Sequence, residues 1–484
     1  MGQHRANPAR APDAADSVDR MAEDPQGNQE DEFLEMLRGL LSGNSAIDPA
    51  KLASAAGLPH DPAMIARLME QLTAAMQQSG DGINWSPATA QARTIATAGT
   101  VATTSSEHDA LEQSLGVAAL WLSEATSISD LTTTPRLLTR EEWVAATMSV
   151  WTQLAEPVAL SIANAVTDVL RQQGGDEMSG MIESASRLMR NVGGTLFAMQ
   201  LGQVVGQLST EVVSGGDVGI PLLGSADAIG PEIQAAMLPQ NIASFGEGLD
   251  IEVDQVRLYL AVRELAHARL FRHAKWLRLQ LLTSITAFAQ GVRIDTSKLE
   301  ELAADFDPSN PEELRQAMIS GALIPPKSES QLAALERLET MLALIEGWVD
   351  VVTAHATTRL PRAAAVAETV RRRRAAGGPA ESAFSTLVGL ELRPRRLREA
   401  AAMWEAVTAA VGPDRRDALW DHPDVVPQPS DIDDPAALVA RLVDAAEGRT
   451  PQLDDVDQAI DALLNDDRDD RPHENPDGTA LDPR

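Results

Sequence analysis

The chain has 484 residues, 44% of them hydrophobic, and its 40 Lys and Arg stand against 71 Asp and Glu for a formal charge of −31. That charge argues against non-specific binding to nucleic acid or to anionic membranes, so neither is expected as a partner. Cysteine is absent, which excludes disulfides and thiolate chemistry and leaves His, Asp and Glu to hold any metal. Aromatic residues make up only 3%, so Ala, Leu and Val must supply most of the apolar surface, and tightly packed helices are favoured over aromatic-rich strands.

Taken in chain order, residues 1–30 are polar and carry no apolar segment of the secretory kind, so they read as a disordered tail of a cytoplasmic protein. An N-terminal helical region is expected over 31–100, with an amphipathic stretch at Phe33 to Leu41 and a helix started by Asn84-Trp85-Ser86-Pro87. A helical core follows over 101–430. Its first stripe is Leu111, Leu115, Ala118 and Leu122, and Thr139 with Glu142 forms a capping box ahead of Trp143. That second helix is expected to kink at Pro157. The uncharged run Val192 to Ser209 contains Gln200, Gln203 and Gln207, too polar for a membrane span. Gly202 and Gly206 within it would instead let two helices approach closely. A helix-poor stretch is expected from Asp217 to Asp250, then helices over Asp254–His273, Leu277–Gln290, Glu312–Ile319, Glu329–Arg359 and Arg393–Val411. Arg371 to Arg374, with Arg393, Arg395, Arg396 and Arg398, reads as a basic island, either a solvated face or a dock for the acidic end of the chain. Residues 431–484 are expected to be an acidic, largely disordered tail, with a last helix near Ala436–Ala446.

The most informative segment is Arg263-Glu264-Leu265-Ala266-His267. In an intact H-E-x-x-H, two imidazoles one helical turn apart hold Zn²⁺ and the Glu activates the metal-bound water. Here the general-base position (Glu264) and the second ligand position (His267) are kept, while the first ligand position carries a permanent cation, Arg263. Downstream, Glu346 interrupts the apolar run Leu342, Leu344, Ile345, Trp348, Val349 and, if buried, needs a partner. Gly347 beside it costs about 1 kcal/mol in a helix relative to Ala, which points to a close helix approach.

These segments, with Ala119 to Thr126, Trp151 to Pro157, Ser214-Gly215-Gly216-Asp217-Val218-Gly219, Asn241 to Gly248 and Ala418 to Pro423, resemble a zincin-like family, mostly actinobacterial, described as zinc-dependent metalloproteases or hydrolases. The resemblance implies a mainly α, multi-helix zincin-like metalloprotease-type domain between disordered acidic tails. It also implies zinc as cofactor, with Glu264 as general base and His267 and Glu346 as ligands. Arg263 departs from that pattern. His273, His355 and His422 are the histidines that could substitute for the missing ligand, but helical phase sets the first two on other faces and leaves the third in a loop. Two functions remain open: a pseudoenzyme that binds a peptide or protein partner, with Arg263 in the metal's electrostatic place, and an active metallohydrolase with a modified site.

Overall fold

The computed structural model describes residues 83–173, 194–195, 197–223, 234–291, 327–376, 379–390 and 395–448, all within one compact unit of the chain. The expected elements before residue 83, the helix at Glu312–Ile319 and the tail beyond 448 lie outside the described residues. The protein is mainly α, as expected of a zincin-like domain. Strand structure is confined, among the described residues, to a two-stranded parallel ribbon of β1 (Arg136–Leu137) and β2 (Ala236–Met237), with Ser214 bridged antiparallel to Met237.

Helix α1 (Ser86–Thr97) starts on Pro87 and buries Ala88, Ala92 and Ala96 along one face. The helix over 197–209 (α4) lies against it. A Cβ on Gly202 would meet the Ala88 carbonyl oxygen at 2.4 Å, and one on Gly206 would meet Ile95 at 2.8 Å. The glycine pair therefore serves helix contact. No described helix is long and apolar enough to cross a membrane. Helix α2 (Ser105–Ala125) opens on a capping box of Thr104 and Glu107. Helix α3 (Arg140–Gln173) opens on the predicted box, Thr139 with Glu142. Helix α3 continues through Pro157 as one helix. A difference from expectation is α5 (Pro239–Gly246), which sits in the stretch expected to be helix-poor; its first turn is set by Pro239, whose fixed φ suits that position.

Two helices form the centre. The motif helix α6 (Val253–His273) is buried continuously from Tyr259 to Phe271, so every face meets protein. It touches α2, α5, β2, α7 (Lys275–Gln290), α8 (Glu329–Ala356) and α9 (Ala363–Ala375). Helix α8 is likewise buried without a break from Leu342 to Thr353. A helix enclosed on all sides need not carry the one-sided apolar stripe that marks surface helices.

Helix α10 (Pro379–Val388) packs on α3, and α11 (Leu397–Ala418) crosses α8. Helix α11 runs past the expected end at Val411, with a break at Gly412 (φ +82°) before Pro413. The short α12 (Pro429–Asp433) and α13 (Pro435–Ala446) pack back onto α11. Asp417 near the end of α11 pins three elements. It accepts from Trp348 Nε1 (2.9 Å), Thr126 Oγ1 (2.6 Å), the Ser127 N–H (2.8 Å) and Arg416 Nε (2.7 Å). Trp348, two residues from Glu346, is thereby fixed to the end of α2 and to α11.

The crossing of α8 and α11 depends on Gly347. A Cβ there would sit 2.8 Å from the Ala401 nitrogen and 2.9 Å from the Ala400 carbonyl carbon, backbone that cannot swing aside. Helix propensity alone would make Gly347→Ala stabilising by about 1 kcal/mol. Overpacking outweighs that, and a net loss of about 1–3 kcal/mol is expected in urea unfolding. An unchanged or higher midpoint would show that the helices are not locked at this distance.

Candidate functional site

One helical turn of α6 presents Arg263 and His267 on a shared face, with Glu264 beside them, and α8 brings Glu346 to the same place. All four side chains are buried, Glu346 completely. A solvent-facing Glu346 is thereby excluded, and the four positions picked from the sequence form one cluster.

Glu346 is the hub. Its Oε2 accepts from Arg263 Nη2 in a buried salt bridge. Its Oε1 faces His267 Nε2 at 3.1 Å and Arg374 Nη1 at 2.6 Å. Burial raises the carboxyl, but Arg374, then Arg263 and His267, outweigh it and hold Glu346 well below the usual carboxylate range. For Arg263 burial works against the charge, and Glu346, helped by Tyr259, Asp350 and Asp217, reverses that and holds the guanidinium above its ordinary value. Burial pulls Arg374 the other way, with Glu346 opposing it and Arg263 adding like-charge repulsion. Tyr259, one turn before Arg263, has its phenol pushed up by burial to about 12.

His267 is held at both nitrogens. Nδ1 lies 3.1 Å from the Arg263 carbonyl oxygen, one turn back, and Nε2 lies 3.1 Å from the Glu346 carboxylate. Both partners are acceptors, so both contacts are hydrogen bonds only when both ring nitrogens carry hydrogen.

Glu264 points to the other side of the turn. Its Oε2 accepts from the Gly216 N–H at 2.7 Å and its Oε1 from the Ala236 N–H at 2.8 Å. Burial raises this carboxyl, against the two backbone donors and the neighbouring His267. The ribbon explains the pairing. Gly215 N–H donates to the Ala236 carbonyl at 2.9 Å, so the 214–216 segment and β2 present adjacent N–H groups to one carboxylate. Only glycine fits there, because a Cβ on Gly216 would lie 2.8 Å from His267 Cβ and 3.0 Å from Glu264 Oε2. A recess with room for about one water adjoins the turn, lined by Leu223, Gln234 and Phe271 together with Gly216, Glu264 and His267.

These residues do not fit a zinc ion as a zincin would hold it. Three protein ligands and a water are the usual catalytic set. Here Glu346 already receives two guanidiniums, His267 Nε2 is turned onto Glu346, and the place of the first ligand is a cation. No group of three or more His, Asp or Glu side chains is arranged to hold a metal among the described residues. The substitute histidines are engaged elsewhere: His273 with Asp421 at 2.7 Å, His355 with Glu405 at 2.9 Å, and His422 with Asp424 at 3.2 Å.

Arg374 is the site residue that the sequence reading missed. The segment Arg371 to Arg374 is the last turn of α9, in which Arg372 is exposed as a solvated face would have it while the other three turn toward acids. Arg371 pairs with Asp350 (2.8 Å), Arg373 with Asp217 (3.1 Å) and Arg374 with Glu346. Its signal was available: two acids at i, i+4 in an apolar run, Glu346 and Asp350, need two cations, and Arg371 and Arg374 share a helix face at i, i+3.

The sequence matches the profile of the zincin-like metallopeptidase family over residues 83–439. The fold is similar to the crystal structure of a candidate hydrolase with a novel fold from Chloroflexus aurantiacus. The TM-score is 0.51 and the identity 19%, over 75% of this chain and 99% of that one, a likeness of fold alone. No curated protein matches the sequence.

Because Glu346 is ionised far below the range of an unfolded carboxylate, its contribution to stability is present above about pH 4.3 and lost as pH falls toward the folded-state value. Glu346→Gln is expected to cost about 3–5 kcal/mol at pH 7, as for a broken buried pair. The gap to the unaltered protein should narrow below about pH 4 in urea unfolding. A gap independent of pH would mean that Glu346 does not carry the charge assigned to it.

Proposed function

Because the chain belongs to the zincin-like metallopeptidase family, we propose that it is a pseudoenzyme of that family, in which Arg263 takes the electrostatic place of zinc and the protein acts by binding a peptide or protein partner. The observation that carries this reading is the full engagement of Glu346, with Arg263 on one oxygen and Arg374 and His267 on the other. An ion at that place would have to displace a buried guanidinium from a buried carboxylate, a pair whose breaking typically costs about 3–5 kcal/mol.

The family's description favours a second reading, an active peptidase with Glu264 as general base and a metal on His267 and Glu346. Against it stands the engagement of Glu346 by two guanidiniums, while Glu264 is held in place by one backbone N–H on each oxygen.

Elemental analysis of protein purified without chelator decides between them. The pseudoenzyme reading expects far less than one zinc per chain, no gain on incubation with zinc, and no peptidase activity. Zinc near one per chain, lost in His267→Ala, would overturn it.

A further inference from the structure

We propose that Arg374 is a second, independent metal-excluding residue, so that restoring histidine at position 263 does not by itself rebuild a zinc site. This rests on the pseudoenzyme reading and deepens it. Arg263 and Arg374 come from different helices and hold different oxygens of Glu346, Oε2 and Oε1 respectively. A cation shared by the two kept ligands would have to reach His267 Nε2 and Glu346. The oxygen nearest that nitrogen is Oε1, at 3.1 Å, and it is the one Arg374 Nη1 already holds at 2.6 Å. Removing the Arg263 guanidinium frees Oε2 and leaves Oε1 and its neighbouring positive charge untouched.

Arg374 is also anchored where it stands. Its Nη2 donates to the Asp217 carbonyl at 3.0 Å, and its side chain is only 12% exposed. On the same turn, Arg373 pairs with the Asp217 carboxylate, donates to the Glu211 carbonyl and lies over the Phe245 ring, while Arg371 holds Asp350. The 214–219 loop closes over the pair at Gly219 (φ +80°), where a Cβ would come within 3.3 Å of Glu346 Oε1 and 3.5 Å of Arg374 Nη1. A guanidinium held this way cannot step aside for an ion, and at no working pH does it lose its charge.

The test compares zinc binding, measured by titration calorimetry with zinc chloride and by zinc-dependent shift in melting temperature, for Arg263→His, for Arg263→His with Arg374→Met, and for Arg263→His with Arg373→Met. The single variant and the Arg373 control are expected to show no saturable binding. The variant carrying Arg374→Met is expected to bind one zinc per chain at least a hundredfold more tightly than either, and adding Glu346→Gln should abolish that binding. If that variant is unfolded without zinc, folding on zinc addition supports the assignment and failure to fold in zinc counts against it. Equal binding by Arg263→His alone would overturn the role of Arg374 while leaving the pseudoenzyme reading intact. Stoichiometric zinc in the unaltered protein would overturn both.

Discussion

A carboxylate buried to the last ångström must recover in hydrogen bonds and charge what it loses in hydration. Glu346 is that carboxylate, and the middle of the protein is arranged to satisfy it. Two guanidiniums and an imidazole converge on it from α6 and α9, while Gly347 and Trp348 fix the stretch of α8 that carries it. An unpaired charge in this position would be costly enough to threaten a fold of ordinary stability. The cluster therefore holds the fold together as much as it defines a site.

The two acids of the cluster are treated in opposite ways. Glu346 is surrounded by cations and held ionised, whereas Glu264 meets mainly backbone N–H groups and is pushed toward its neutral form by burial. In a zinc site the metal would supply the positive charge to both the ligand carboxylate and the water. Here the positive charge resides in side chains fixed to the framework, and it is directed at the ligand position only. The ribbon, with Gly216 and Ala236, takes up Glu264 separately.

Much of this was legible in the sequence. The capping box at Thr139 and the small-residue contact at Gly202 and Gly206 follow from spacing and turn chemistry, and the meeting of His267 with Glu346 is what the family resemblance implied. What escaped has physical causes. Helices α6 and α8 are enclosed on all sides, so their pattern does not reveal which neighbours they meet. Arg374 looked like part of a solvated run because its i, i+3 pairing with Arg371 matters only when α9 lies against α8. Pro239 started a helix where glycine suggested loop, because its fixed φ suits a first helical turn.

The claim that guanidinium charge replaces metal charge is tested most directly by anomalous diffraction at the zinc absorption edge from zinc-soaked crystals of the unaltered protein. The account predicts no anomalous peak within bonding reach of His267 Nε2 and Glu346, with Arg263 and Arg374 still on the carboxylate. A peak bonded to both residues, with either arginine displaced, would contradict it.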